Sequence, residues 1–258
     1  MRPLAIILML SLSQPVLAAG QCVAQSGPGT AALVELYTSE GCSSCPPADR
    51  WLSGLGPRGY VPGRVVPLSL HVDYWDYIGW KDPFAKGEFS GRQRKMTALQ
   101  RQAFVYTPQV MLQGEDFRGW GGAAFDRAVE RINAQPARAR ISLEITGVGK
   151  RAISVQAQAR LLDGSQQADA ALYLAAYENK LASQVTAGEN RGERLQHDYV
   201  VLEWQGPLPF SSGPTLAAAR DLPLLPKAVP AHSGVAAFVQ NRRTGEVLQA
   251  LMLPSCGS

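Results

Sequence analysis

The chain has 258 residues, with 25 lysines and arginines against 21 aspartates and glutamates, for a formal net charge of +4. So small an excess excludes a dedicated nucleic-acid stripe: the densest basic spots, Arg92-Gln93-Arg94-Lys95 and Arg242-Arg243, lack interleaved aromatics and read as solvated surface. The length suits two modest domains or one large one.

At the N-terminus, Arg2, the apolar stretch Leu4 to Leu12 and the small-residue pattern Val16-Leu17-Ala18 predict a secretory signal peptide over residues 1–18. The apolar run is shorter than the about 20 residues a bilayer span needs. Cys22 follows Gln21, where a lipid-attachment site requires a small residue, so the expectation is a secreted or periplasmic protein with no membrane association after cleavage. All four cysteines then meet an oxidising compartment.

From Thr30 to Gln135, strand-like runs alternate with helical stretches. Ala31 to Thr38 is a continuous apolar run of the kind a buried parallel strand shows. Cys42-Ser43-Ser44-Cys45 comes next, and a helix is predicted through Pro46 to Leu52, where first-turn prolines are tolerated. Val65 to Val72 reads as a second strand, and Lys86 to Ala103 as one or two helices. Phe104 to Leu112 is a third strand region, interrupted at Thr107-Pro108, and pairs as a hairpin with Asp116 to Trp120. Ala123 to Ala134 places Phe125, Ala128, Val129 and Ile132 on one helical face.

After Pro136 the texture changes to strands: Ile141 to Ile145, Ile153 to Ala157, Ala171 to Tyr177, Tyr199 to Trp204, Val235 to Val239 and Val247 to Leu253. Gly206 to Pro230 reads as a long loop or edge connection. The predicted organisation is therefore an α/β domain over 19–136 and a β-rich, sandwich-like domain over 137–258.

Two cysteines separated by two residues, between a strand and a helix, can close into a disulfide and reopen. The first sulfur then lies over a helix N-terminus, which favours the thiolate that attacks in thiol–disulfide exchange. With Cys42 paired to Cys45, Cys22 and Cys256 are expected to form a structural disulfide that ties the chain ends together, free or intermolecular thiols being the alternative.

The stretch Glu35 to Pro46 with the distant Thr107-Pro108 resembles the thioredoxin superfamily. More narrowly, Leu36 to Asp49, His71-Val72-Asp73-Tyr74-Trp75 and Tyr106 to Gln109 are similar to an exported bacterial family of unknown function, DUF1223. The superfamily resemblance implies a thioredoxin-like fold for the α/β domain. It also implies Cys42 as the nucleophile, Cys45 as the resolving thiol, and a cis bond before Pro108, with Thr107 presenting its backbone to a substrate strand. It makes Glu35 the buried carboxylate that moves a proton at the resolving cysteine. This chain has one more residue between Glu35 and Cys42 than common thioredoxins, so a strand carboxylate satisfied by its neighbours stands as the alternative.

The loop His71 to Trp80 leaves the C-terminal end of the second strand, the side that carries the Cys42 turn. Trp75 is a candidate for substrate contact, with packing of an aromatic cluster as the competing reading. Cys42, Cys45 and His71 also suit Cu(I) or Zn, although the other histidines, His197 and His232, fall in the β-rich region. Glu189-Asn190-Arg191-Gly192-Glu193 reads as a solvated charged turn. Hydrolase triads, phosphate loops and paired carboxylates are not evident. The sequence thus points to an exported thiol–disulfide oxidoreductase that needs no cofactor and acts on a protein thiol or disulfide partner. A non-catalytic thioredoxin-fold protein binding copper or peptide is the second reading.

Overall fold

The computed structural model describes residues 22–256, so the expected signal segment over 1–18 lies outside the described residues. In the first half, the elements are β1 (Val23–Gln25), β2 (Ala32–Thr38), α1 (Pro46–Ser53), β3 (Val65–His71), α2 (Gly87–Leu99), β4 (Gln109–Leu112), β5 (Glu115–Asp116) and α3 (Ala123–Asn133). The second half adds β6 (Ala139–Val148), β7 (Ala152–Leu161), β8 (Ala170–Glu178), β9 (Leu181–Gln184), β10 (Arg194–His197), β11 (Val200–Pro209), β12 (Thr215–Pro223), β13 (Ser233–Asn241) and β14 (Val247–Pro254).

β2 and β3 are buried at every position and run parallel from Ala32 opposite Val65 to Thr38 opposite His71. A strand covered on both faces is mostly apolar, which is why these two read as continuous runs, with Glu35, Thr38, Ser69 and His71 as buried polar exceptions. β4 lies antiparallel to β2 on its other side. The β4–β5 hairpin turns through Gln113 and Gly114, both at positive φ (55° and 85°), as a two-residue hairpin turn requires. Side chains then alternate across β2. Val34 and Leu36 pack with Val110 and Leu112 against Leu52 of α1 and Phe125 and Val129 of α3. Leu33 and Tyr37 face the opposite side, which Phe89 and Met96 of α2 cover.

The sheet does not stop at β3. β11 pairs with β3 in parallel at Val200 and Ser69, and β8, β13 and β14 follow antiparallel, giving one eight-stranded sheet in the order β14-β13-β8-β11-β3-β2-β4-β5. A second antiparallel sheet, β1-β6-β7-β12, lies face to face with its far half. There Ile141, Leu143, Val155 and Leu222 pack against Leu172, Leu174, Val235 and Leu251. The Cys22–Cys256 disulfide, with Cα atoms 5.7 Å apart, joins the start of β1 to the chain just after β14 and so clips the two sheets together. β9 and β10 form a hairpin that pairs with neither large sheet.

This corrects the expected fold. The protein is not an α/β thioredoxin-like domain followed by a separate β-rich domain. It is mostly β, in a multi-sheet, sandwich-like arrangement, and strands from both sides of residue 136 share its main sheet. The physical reason lies at β3. Left as an edge, it would expose unpaired N–H and C=O groups, and β11 covers them. Ser69 N–H donates to Tyr199 O at 2.8 Å across that join. Two further departures are local. The span Gly206 to Pro230, read as loop or edge connection, contains β12, whose nine residues all pair with β7. The charged turn at 189–193 is the tip of the β9–β10 hairpin.

Candidate functional site

Cys42 and Cys45 are disulfide-bonded, with Cα atoms 5.4 Å apart. Between β2 and α1 the backbone makes a tight turn: Cys42 N–H donates to Ser39 O and Cys45 N–H to Cys42 O, each at 3.1 Å. Cys45 is the N-cap of α1, and its carbonyl accepts from the N–H groups of Ala48 and Asp49. Pro46 and Pro47 occupy the first turn, where no intrahelical N–H is lost. Ser44 Oγ lies 3.4 Å from Cys42 Sγ. Ser43 and Ser44 are exposed, but Cys42 is only 1% exposed and Cys45 fully buried.

Trp75 and Thr107, predicted near this turn from separate stretches, meet. Trp75 Nε1 donates to Thr107 Oγ1 at 2.7 Å, and the Thr107–Pro108 bond is cis. Gly41 explains how close the Trp75 loop comes: a Cβ there would lie 3.2 Å from Trp75 Cβ and 3.3 Å from Ile78 Cδ1. Beyond Thr107, Pro108 lines an open cleft with Phe104, Tyr106, Arg118 and Trp120.

Glu35 is not in this group. It shares the α2 face of β2 with Leu33 and Tyr37, whereas α1 packs on the opposite face. Arg92 of α2 binds its carboxylate in bidentate fashion, Nε to Oε1 at 2.5 Å and the terminal nitrogen to Oε2 at 3.0 Å, and Tyr37 O–H donates at 3.3 Å. The Arg92 guanidinium lies 4.7 Å from the ring of Trp204 and 5.1 Å from that of Phe238. Burial alone would lower Arg92, but the Glu35 carboxylate outweighs it and holds the guanidinium above its ordinary value. The alternative reading, a strand carboxylate satisfied by its neighbours, describes this geometry.

On the sulfur-bearing face Asp49, Glu40 and Asp82 are all buried, and Asp49 is the one that lies a helical turn beyond Cys45 on α1. Burial pushes its carboxyl up, against the pull of His197 and His71. Around it lies a cluster of groups from distant segments. His71 Nδ1 is 2.7 Å from Asp82 Oδ2, and Asp82 also accepts from the N–H groups of Glu40 and Phe84. His197 Nε2 is 3.1 Å from Glu40 Oε1, whose other oxygen accepts from Trp80 Nε1 at 2.8 Å. The two imidazoles meet edge to face with centroids 4.9 Å apart. Burial lowers His71, but Asp82, with Asp49 and Glu40 behind it, reverses the balance and raises it. Asp82 is correspondingly held below its ordinary value, because His71 and the two N–H donors outweigh its burial. Thr38 Oγ1, Asp49 Oδ1, His71 Nε2 and His197 Nδ1 have no hydrogen-bond partner here. They are neighbours of one another, His197 Nδ1 lying 3.9 Å from Asp49 Oδ2 and Thr38 acting on the Asp49 carboxyl, and their concentration in one cluster marks it off from the rest of the interior. Among the described residues no group of three His, Cys, Asp or Glu side chains is arranged to hold a metal ion.

Sequence reasoning missed Asp49, Asp82, His197, Glu189 and Asn190 as neighbours of the disulfide. Only Asp49 carried a local signal, since Cys45, Asp49 and Leu52 recur at helical spacing and are all buried. Asn190 is also buried, and its Nδ2 donates to Glu40 O at 2.8 Å and Cys42 O at 3.0 Å. Glu189 Oε2 accepts the Ser43 N–H at 2.9 Å. The turn read as solvated is thus docked on the disulfide.

Residues 33–240 match the family described as "Protein of unknown function (DUF1223)", and the chain belongs to that family. Among solved structures it is similar to a protein from Agrobacterium tumefaciens, at 24% identity and a TM-score of 0.64, covering 90% of this chain and 98% of that one. It is similar also to HBP35 of Porphyromonas gingivalis, at 15% identity and a TM-score of 0.64, covering 90% of this chain and 79% of the other. At these identities the likeness concerns the fold. No curated protein matches it significantly. No helix among the described residues is long and apolar enough to cross a membrane.

Proposed function

We propose that this is an exported thiol–disulfide oxidoreductase whose reacting centre is Cys42–Cys45. The observation that carries the reading is the pairing of a disulfide at the start of α1 with a buried carboxyl, Asp49, one turn further on. The likeness to the thioredoxin superfamily is proposed for this centre and for the Thr107-Pro108 segment, not for the fold. The two disulfides fit an extracytoplasmic, oxidising compartment, and the signal segment read from the sequence fits export.

In the oxidising direction, a partner thiolate attacks Cys42 Sγ. A Cys42–partner disulfide forms, the Cys42–Cys45 bond breaks, and Cys45 leaves with the electron pair as a thiolate. Asp49, whose raised affinity for a proton suits it to donation, protonates that sulfur. A second partner thiolate then attacks the partner's own sulfur in the mixed disulfide and releases Cys42 as a thiolate. The partner dithiol ends as a disulfide and the Cys42–Cys45 pair as a dithiol. The reducing direction is the reverse. Trp75 and Thr107 border the turn and offer an aromatic surface and a hydroxyl to the partner.

The test is a trapping experiment with oxidised glutathione, read by mass spectrometry. Cys45→Ser is expected to retain one glutathione on Cys42, because no resolving thiol remains to expel it, while wild-type protein returns to its internal disulfide. A Cys45→Ser protein no more reactive than the Cys42→Ser/Cys45→Ser double variant would overturn the proposal.

A further inference from the structure

Exchange at Cys42 requires a thiolate to approach its sulfur along the line of the S–S bond, yet Cys42 is 1% exposed. Something has to move, and the surroundings differ in how they are held. α1, the turn itself and the Trp75 loop are built on the eight-stranded sheet. Residues 185–193 are not: they cap the β9–β10 hairpin, which pairs with neither large sheet.

We propose that residues 185–193 form a latch over the disulfide, with Asn190 and Glu189 as the positioning residues that hold it shut. The proposal rests on the exchange reading above. The latch grips the sulfur-bearing turn on both sides of one peptide unit: Asn190 Nδ2 donates to Cys42 O, and Glu189 accepts from Ser43 N–H. Asn190 also reaches Glu40 O, so one amide group spans the turn. The tip seats closely, for a Cβ on Gly188 would lie 3.1 Å from Ile78 Cδ1 and 3.3 Å from Trp80 Cβ. The loop is closed upon itself by Val185 N–H to Glu193 O, Gly192 N–H to Val185 O and Glu193 N–H to Asn190 O, at 2.9 to 3.0 Å. It can therefore lift as a unit, losing its bonds to the turn but none of its own. At the root of the hairpin, His197 stays tied to Glu40 and Asp49 stays in place. The C-terminal half of the chain thus decides which partners reach the disulfide: those that displace the loop gain Cys42, and others meet a closed surface.

Each hydrogen bond of the latch contributes about 1 kcal/mol net, or about fivefold in the closed-to-open ratio. The experiment measures how fast a small phosphine reduces Cys42–Cys45 in the oxidised full-length protein, read by alkylation and mass spectrometry. Asn190→Ala, which removes two bonds, is expected to accelerate reduction at least about tenfold. Glu189→Ala, on an exposed side chain whose loss leaves folding intact, is expected to accelerate it about fivefold. Glu193→Ala, on the same loop but with no side-chain bond to the turn, is expected to leave the rate unchanged. Folded Asn190→Ala and Glu189→Ala proteins that are reduced at the wild-type rate would overturn the latch. So would an equal acceleration in Glu193→Ala, since the effect would then belong to the loop's charge or stability. A small reductant needs no partner and no poise, so the result is independent of the exchange reading. That reading can fail on the reduction potential while the latch variants still accelerate.

Discussion

The two faces of β2 carry buried charge in opposite states. On one, Glu35, Arg92, Tyr37 and Gln240 close a set in which both carboxylate oxygens are bonded and the guanidinium is walled by aromatic rings. On the other, Asp49, His71 and His197 keep orphan polar atoms beside a disulfide. A satisfied set fixes structure and leaves nothing free to react. An incompletely satisfied one is maintained at a cost in stability, and perturbed titratable groups gather where chemistry is done. On this difference rests the proposal that Asp49, and not Glu35, serves the sulfurs.

Four experiments sharpen or break that contrast. The first sets aside the cross-link that belongs to neither face. Replacing Cys22 and Cys256 together by alanine removes a closure spanning 234 residues, and chain entropy puts the loss at about 5 kcal/mol in urea unfolding. The reduction potential of Cys42–Cys45 is expected to stay where it was. Arg92→Ala strands Glu35 without its partner and is expected to destabilise by about 3–5 kcal/mol, again with no change in potential. A shifted potential in Arg92→Ala would erase the distinction between the faces.

His71→Gln tests the opposite face through pH. His71 is raised in the folded protein, so its contribution is complete below its unfolded value and fades as pH rises through the folded one. Asp82 is lowered, so its contribution is complete above its unfolded value and is lost as pH falls through the folded one. The stability advantage of wild type over His71→Gln should therefore be greatest between about pH 4 and 6.5 and shrink on either side. A pH-independent advantage would mean the pair is not ionised. Asp49→Asn should alter stability least, by under about 1 kcal/mol, because burial already disfavours its charge. Its rate of opening of Cys42–Cys45, the step that releases the Cys45 thiolate, should fall about a hundredfold and lose its pH dependence, in stopped-flow reduction assays.

What was legible in the sequence was local. β2 and β3 read as continuous apolar runs and α3 as one apolar helical face, and the Cys-x-x-Cys spacing with its flanking strand and helix marked the candidate site. Trp75 was placed near it because the ends of parallel strands lie on one side of a sheet, and Thr107 because Thr107-Pro108 resembles the superfamily's segment. Glu35 was assigned by the superfamily resemblance, despite the extra residue before Cys42, but strand parity sets its face and puts it with Leu33 and Tyr37 instead of Val34 and Leu36. The two-domain reading failed because the join of Ser69 to Val200 is a single long-range pairing with no sequence signature. β12 was hidden by its composition, Ala217-Ala218-Ala219-Arg220, which lacks the branched residues of a typical strand. Asn190 carried no signal at all, since a buried side-chain amide in a charged turn looks like any solvated one.

The measurement that bears most directly on the central claim is the reduction potential of Cys42–Cys45, by equilibration of the protein in graded glutathione buffers with alkylation mass spectrometry as the readout. A single two-electron transition between roughly −120 and −270 mV, absent in Cys42→Ala, is the result this account requires. A pair that stays oxidised far below that range would be a structural disulfide like Cys22–Cys256, and the contrast between the two faces of β2 would lose its chemical meaning.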